Sequence, residues 1–185
     1  MPSNIIDSLR REHANMRSVL VLIRQELDKL VGDQEPNFVL LANALYYMRK
    51  FPSLVHHPKE DLIFERLAAV DEGYKGEVER VRQQHQDIYG LEEWLIELAL
   101  NIPKRDTSGR NRMREFGEHY LQTQREHSET EERVLFPRAL QVLGSKDWAA
   151  VAHKSKDIED PLFGEHGGER YELLYDHIMR ESSLA

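Results

Sequence analysis

The chain has 185 residues, 31% of them charged and 40% hydrophobic, with a net charge of −8 and a pI near 5.6. That length suits one domain with a real core, and the acidic balance excludes a general electrostatic hold on nucleic acid or anionic lipid; Arg110, Arg112 and Arg114, the densest basic patch, read as an exposed helix face. Cysteine is absent, which excludes disulfides, thiolate nucleophiles and cysteine-ligated iron–sulfur clusters.

The first residues, Met-Pro-Ser-Asn-Ile-Ile-Asp, lack the basic start and apolar stretch of a signal peptide. Apolar runs such as Val19 to Ile23 are too short to span a bilayer, so a cytoplasmic protein with no membrane partner is expected. Residues 3–31 form the first predicted helix, with Ile5, Ile6, Leu9, His13, Met16, Leu20, Ile23, Leu27 and Leu30 recurring at spacings of three and four. Gly32 to Pro36 breaks it. A second helix is predicted over residues 36–69, with a kink or bulge where Pro52 and Pro58 each remove an amide donor. After a turn at residues 71–76, a third helix covers 77–100. A loop with Pro103 and Gly109 follows, and a fourth helix covers 110–143, with a bend near Pro137. No stretch alternates with period two, so the expected class is all-α: an up-down-up-down four-helix bundle over residues 1–144.

Residues 145–185 read as a helical extension packed on that bundle. Asp147 is expected to cap a short helix reaching Ile158, residues 159–168 to form a loop, and 169–181 a final helix. Two roles stay open for this tail: a cover over one end of the bundle, or a homodimer contact.

His56 and Glu60 are four residues apart, as are His127 and Glu131. At that spacing two side chains share a helix face with Cβ atoms about 6 Å apart, and an imidazole and a carboxylate can converge on one metal or two. A single His-x-x-x-Glu is common on solvated helix surfaces. Here it repeats, with His13 placed 43 residues before His56 and His85 placed 42 before His127. The chain reads as two related helical hairpins, each giving one His and one His-x-x-x-Glu. The midpoints of His13/His56, Glu60/His85 and His85/His127 all fall inside predicted turns. In antiparallel helices this brings His13, His56, Glu60, His85, His127 and Glu131 to one level, since each residue of mismatch adds about 1.5 Å. Nitrogen and oxygen donors without thiolate favour Fe, Mn or Zn over Cu(I). A closed zinc site uses four ligands, so six with two bridging carboxylates fit a metal pair better.

These residues, together with His56-His57-Pro58-Lys59-Glu60-Asp61 and the run from His127 through Glu131-Glu132-Arg133-Val134-Leu135-Phe136-Pro137, resemble the hemerythrin-like (HHE cation-binding) family over about residues 3–143. The segment Asp160-Pro161-Leu162-Phe163-Gly164 is similar to a tail motif in some bacterial members. The resemblance implies a bundle holding two iron ions in an oxo- or hydroxo-bridged centre. It also implies binding or sensing of O2, NO or iron, in oxidative or nitrosative stress or iron homeostasis. Oxygen carriers of the family have a further histidine where this chain has Tyr89, and an acidic ligand five residues after the fourth-helix histidine, where this chain has Glu132 as well as Glu131 at four. Fewer histidines imply a more open iron, and both departures favour a reactive or sensing centre over reversible O2 storage. An alternative is therefore a di-iron redox enzyme that turns over peroxide or NO or donates iron for iron–sulfur repair; a partner-binding bundle is the third reading.

Other residues carry weaker signals. His57 and Asp61 form a second four-spaced pair that the repeat does not support, since Ser128 stands in place of His57; a supporting hydrogen bond is the reading for His57. His119 is expected to be a buried histidine bonded to a neighbour, and His153, His166 and His177 to lie on the surface. Tyr46, Tyr47, Trp94 and Tyr120 occupy helical core spacings, for which packing is expected. Residues 164–168 do not match a phosphate loop.

Overall fold

Apolar spacing of three and four winds the first segment into α1, Pro2–Asp28, which buries Ile6, Leu9, Met16, Val19, Ile23 and Leu27 along one stripe. The computed structural model describes residues 2–31, 34–102, 106–155, 158–164 and 171–182, and every regular element among them is helical. Helix α2, Phe38–Phe51, starts at Phe38 because the Asn37 side chain caps it, accepting from the Leu40 amide at 3.1 Å. The Asn37 amide in turn donates to buried Glu26 Oε2 at 2.7 Å, which ties the turn to α1.

The bulge expected near the prolines is a π-helical turn, Pro52–His56, running straight into α3, His57–Val70. Pro58 has no amide for the carbonyl four residues back, so the ladder widens and the His57 N–H reaches the Pro52 carbonyl, five residues back. A 3-10 turn at Glu72–Tyr74 leads to α4, Lys75–Asn101. Asp106 caps α5, Thr107–Thr130, through the Gly109 amide at 3.0 Å. A second π turn, Glu131–Leu135, then joins α6, Phe136–Val142. It again ends two residues before a proline, Pro137. Asp71, at the end of α3, is gripped by Arg138 of α6 at 2.7 and 2.8 Å.

Helix α1 packs on α2, α2 on α4, α4 on α5 and α5 on α1, closing an up-down-up-down bundle. In the tail, α7 is Ser145–Lys154, beginning after Gly144, whose amide donates to Asp147 Oδ2 at 3.0 Å. It ends four residues short of the expected Ile158 and packs Trp148 and Val151 against α3 and α1. Asp160 fastens the next segment to the bundle: Oδ2 accepts from the Tyr47 hydroxyl at 3.0 Å and from Asn15 Nδ2 at 3.3 Å, and Oδ1 accepts the Leu162 and Phe163 amides. Helix α8, Glu172–Ser182, sets Leu174 and Ile178 against the end formed by α1 and α2. No helix among the described residues is long and apolar enough to cross a membrane.

The apolar interior is split in two. One cluster holds Met16, Ile23, Tyr47, Met48, Ile88 and Tyr120; the other holds Leu9, Ile63, Phe64, Val81, Leu135 and Phe136. On every long helix column the break between them falls at a histidine: His13 on α1, His56 in the π turn, His85 on α4 and His127 on α5. The polar layer therefore sits at the waist of the bundle, sealed above and below by hydrocarbon.

Candidate metal centre

The structure brings His13, His56, Glu60, His85, His127 and Glu131 together at that waist, each no more than 7% exposed. Glu60 Oε1 lies 3.4 Å from His13 Nε2 and 3.1 Å from His56 Nε2, while its Oε2 lies 3.8 Å from His85 Nε2. Glu131 is turned the same way: Oε2 is 3.3 Å from His13 Nε2 and 3.4 Å from His127 Nε2, and Oε1 is 3.8 Å from His85 Nε2. Each carboxylate thus spans two groups of imidazoles with its two oxygens.

None of those four inward Nε2 atoms, and none of the four carboxylate oxygens, has a hydrogen-bond partner among the described residues. An unpaired buried carboxylate costs several kcal/mol, so two of them facing bare imidazole nitrogens fit a bound cation. Burial alone would raise the Glu60 and Glu131 pKa values. The surrounding histidines outweigh it, holding Glu60 well below the usual carboxylate range and Glu131 at about 2. Both are anions, as ligands must be.

Two of the outer nitrogens are fixed by carboxylates. His56 Nδ1 donates to Glu12 Oε2 at 2.7 Å, and Lys59 Nζ anchors the other Glu12 oxygen at 2.8 Å. His13 Nδ1 donates to Glu132 Oε1 at 2.9 Å, which Arg17 also binds at 3.0 Å. His85 Nδ1 faces Asp61 Oδ1 at 3.6 Å. For His56 and His13 these bonds keep the proton on Nδ1 and leave Nε2 free to bind metal. His127 Nδ1 has no hydrogen-bond partner among the described residues.

Adjacent positions on the fourth column divide their work. Glu131 points into the layer, whereas Glu132 is partly exposed and serves His13 from outside. Glu12 was not singled out from the sequence; its signal is its place next to His13, where a carboxylate faces α3. Asp61 was paired with His57 by spacing but lies against His85 instead. Tyr89 lines the cleft beside the cluster but is 43% exposed, and its hydroxyl accepts from Arg49 Nη2 at 2.8 Å. His57 is buried and stacks on His85, with ring centroids 3.9 Å apart. Burial, reinforced by His85, His127 and His56, depresses its pKa well below the ordinary imidazole value, so it is neutral.

His119 is exposed and stands apart from the cluster, contrary to the buried role expected for it. His153 is exposed and His177 partly so, while His166 lies outside the described residues. Tyr47 and Tyr120 are core residues, but Trp94 is 55% exposed, stacked over Phe116 on the outside of the bundle.

Two sets of donors share Glu60. One joins His13, His56 and Glu60; the other joins His57, Glu60, His85 and His127, and within each set one atom per residue lies within 4.8 Å of all the others. A cavity of about 20 Å³ touches both, bounded by Met16, Leu20 and Gln124 as well as histidines. A wider cleft of about 400 Å³ opens on the other side, with His57 and His85 at its base and Asp61, Arg82 and Tyr89 around it.

Residues 4–139 match the Hemerythrin HHE cation binding domain family, and the chain belongs to that family. It is also similar to three mycobacterial proteins: uncharacterized protein Mb2018 of Mycobacterium bovis and uncharacterized proteins MT2051 and Rv1995 of Mycobacterium tuberculosis. Each is 23% identical over 169 residues, covering 90% of this chain and 66% of the relative, so the chain spans just under two thirds of their length. No solved structure matches.

Proposed function

We propose that this chain holds two iron ions in the buried His/Glu layer and binds a small diatomic ligand, O2 or NO, in oxidative or nitrosative stress or iron homeostasis. The observation that carries the reading is Glu60, shared by two donor sets, with all four oxygens of Glu60 and Glu131 unpartnered. His13, His56, His85 and His127 would supply nitrogens, and Glu60 and Glu131 would link the ions. When bound, the iron pair supplies open coordination positions and reversible one-electron chemistry.

The chain's own residues do the rest. Glu12 and Glu132 orient imidazoles, and Lys59 and Arg17 hold those carboxylates in place. The apolar clusters on either side exclude bulk water. A cavity of about 20 Å³ beside the histidines has room for roughly one water-sized molecule, which suits a diatomic ligand and not a metabolite.

A second reading, a redox enzyme acting on peroxide or NO, is favoured by the wider cleft with His57 and His85 at its base. Metal content per chain after anaerobic purification from iron-replete cells tests the first statement. Two irons per chain, lost on His127→Ala, supports it; one zinc or no metal overturns it. Multiple turnovers of peroxide or NO by the iron-loaded protein would move the second reading ahead of the first.

A further inference from the structure

His57 sits one residue after His56, and in an ordinary α-helix two neighbours point about 100° apart, so only one of them faces the core. Here both are buried. The reason is local: the π turn Pro52–His56 carries one more residue per turn than an α-helix, and α3 restarts at His57 ahead of Pro58. The wider turn brings the second imidazole into the waist.

We propose that His57 is itself a metal ligand, the third nitrogen on the ion nearer α4 and α5. The inference rests on the two-metal reading above and deepens it. Its donor atom lies within 4.8 Å of those of Glu60, His85 and His127, close enough for all four to meet one ion. Its ring lies flat against His85 at 3.9 Å between centroids and edge-on to His127 at 5.8 Å, which places it within the imidazole cluster. It makes no side-chain hydrogen bond with any described residue, and no carboxylate takes its proton as Glu12 and Glu132 do for His56 and His13. Helix α4 offers no second histidine, since the residue one turn after His85 is Tyr89, turned out to Arg49. The centre is then asymmetric, with His13 and His56 on one ion and His57, His85 and His127 on the other.

The test uses the full chain, stripped and reloaded with ferrous iron under argon, as wild type, His57→Gln and His57→Ala. Chelator competition gives the affinity of each site, and the Mössbauer spectrum of the loaded protein shows whether the two irons differ. Far-UV circular dichroism and the Tm of the metal-free proteins establish that the variants fold; Gln keeps the bulk of the buried side chain if Ala does not. A ligand predicts that one of the two sites weakens by more than about 100-fold, beyond the 10–100-fold typical of a residue that only supports a ligand. It also predicts that one Mössbauer doublet changes and the other stays. Loss of about 100-fold or less, or equal weakening of both sites, overturns the assignment. A wild-type protein that takes up no iron pair fails at the earlier step and takes the two-metal reading with it.

Discussion

Glu12 of α1 and His56 of the π turn are joined by a 2.7 Å hydrogen bond, and the same carboxylate takes Lys59 through its other oxygen. Burial would raise the Glu12 pKa, but His56 and Lys59 outweigh it and keep Glu12 ionised. A charged acceptor on Nδ1 makes Nε2 a stronger donor to metal and stops the ring from turning. Glu12→Gln is expected to weaken iron binding by about 10–100-fold, read by chelator competition. The same change at exposed Glu126, which does not touch the layer, serves as the control and leaves affinity unchanged.

Removing the metal leaves two ionised carboxylates facing each other in a dry layer. The loaded protein is therefore expected to be more stable than the stripped one, by about 2.7 kcal/mol at free metal one hundred times the Kd. For a chain of this length that is a Tm difference of roughly 5–10 °C. Glu131→Gln should abolish the difference, because the loaded state is lost. Calorimetric scans with and without metal check both.

Glu92 is a second buried carboxyl, away from the histidines, accepting from the Tyr120 hydroxyl at 3.0 Å. Burial, only partly offset by Tyr120 and Arg49, lifts its pKa from 4.5 to about 8. Between those values the folded chain keeps a proton that the unfolded chain has released. Stability therefore falls as pH rises through that window, by at most about 1.4 kcal/mol per pH unit, and flattens above it. Glu92→Gln should be more stable than wild type at pH 8 and no better near pH 4.5. Urea unfolding of the metal-free proteins across that range decides.

Gly117 of α5 packs directly against Leu27 of α1. A Cβ there would stand 2.5 Å from Leu27 Cδ1 and 2.9 Å from Cδ2, and Leu27 is buried with little room to swing away. Gly117→Val is expected to cost about 1–3 kcal/mol, measured by denaturant midpoint, despite the helix propensity it gains.

The bundle and the waist were legible in the sequence because two signals with different origins agreed: helical periodicity, and the His and His-x-x-x-Glu pattern at matching distances from three turns. What stayed hidden came from details that spacing does not carry. On α4 the buried stripe runs His85, Ile88, Glu92, Leu95 and Ala99, so Glu92 turns inward and Trp94 outward, against their hydropathy. Register set by the neighbours decided this, not the nature of either side chain. At residues 52–58 the prolines announced a bulge, but not that the bulge would be a wide turn burying His57 beside His56. Glu12 could have been suspected only from its place beside His13.

The tail has a bearing on how the chain could come apart. Helix α7 is fastened to the Phe64 and Phe136 end, and the Asp160 segment and α8 to the Tyr47 and Met48 end. The two apolar ends meet chiefly across the waist, so when the waist is held together by shared ions, loosening one end loosens the other. Stripped of them, the ends are expected to open on separate timescales, and amide hydrogen exchange near Trp148 would no longer keep step with exchange near Tyr47. The ions would then act as the rivet that turns two half-barrels of packing into one cooperative body.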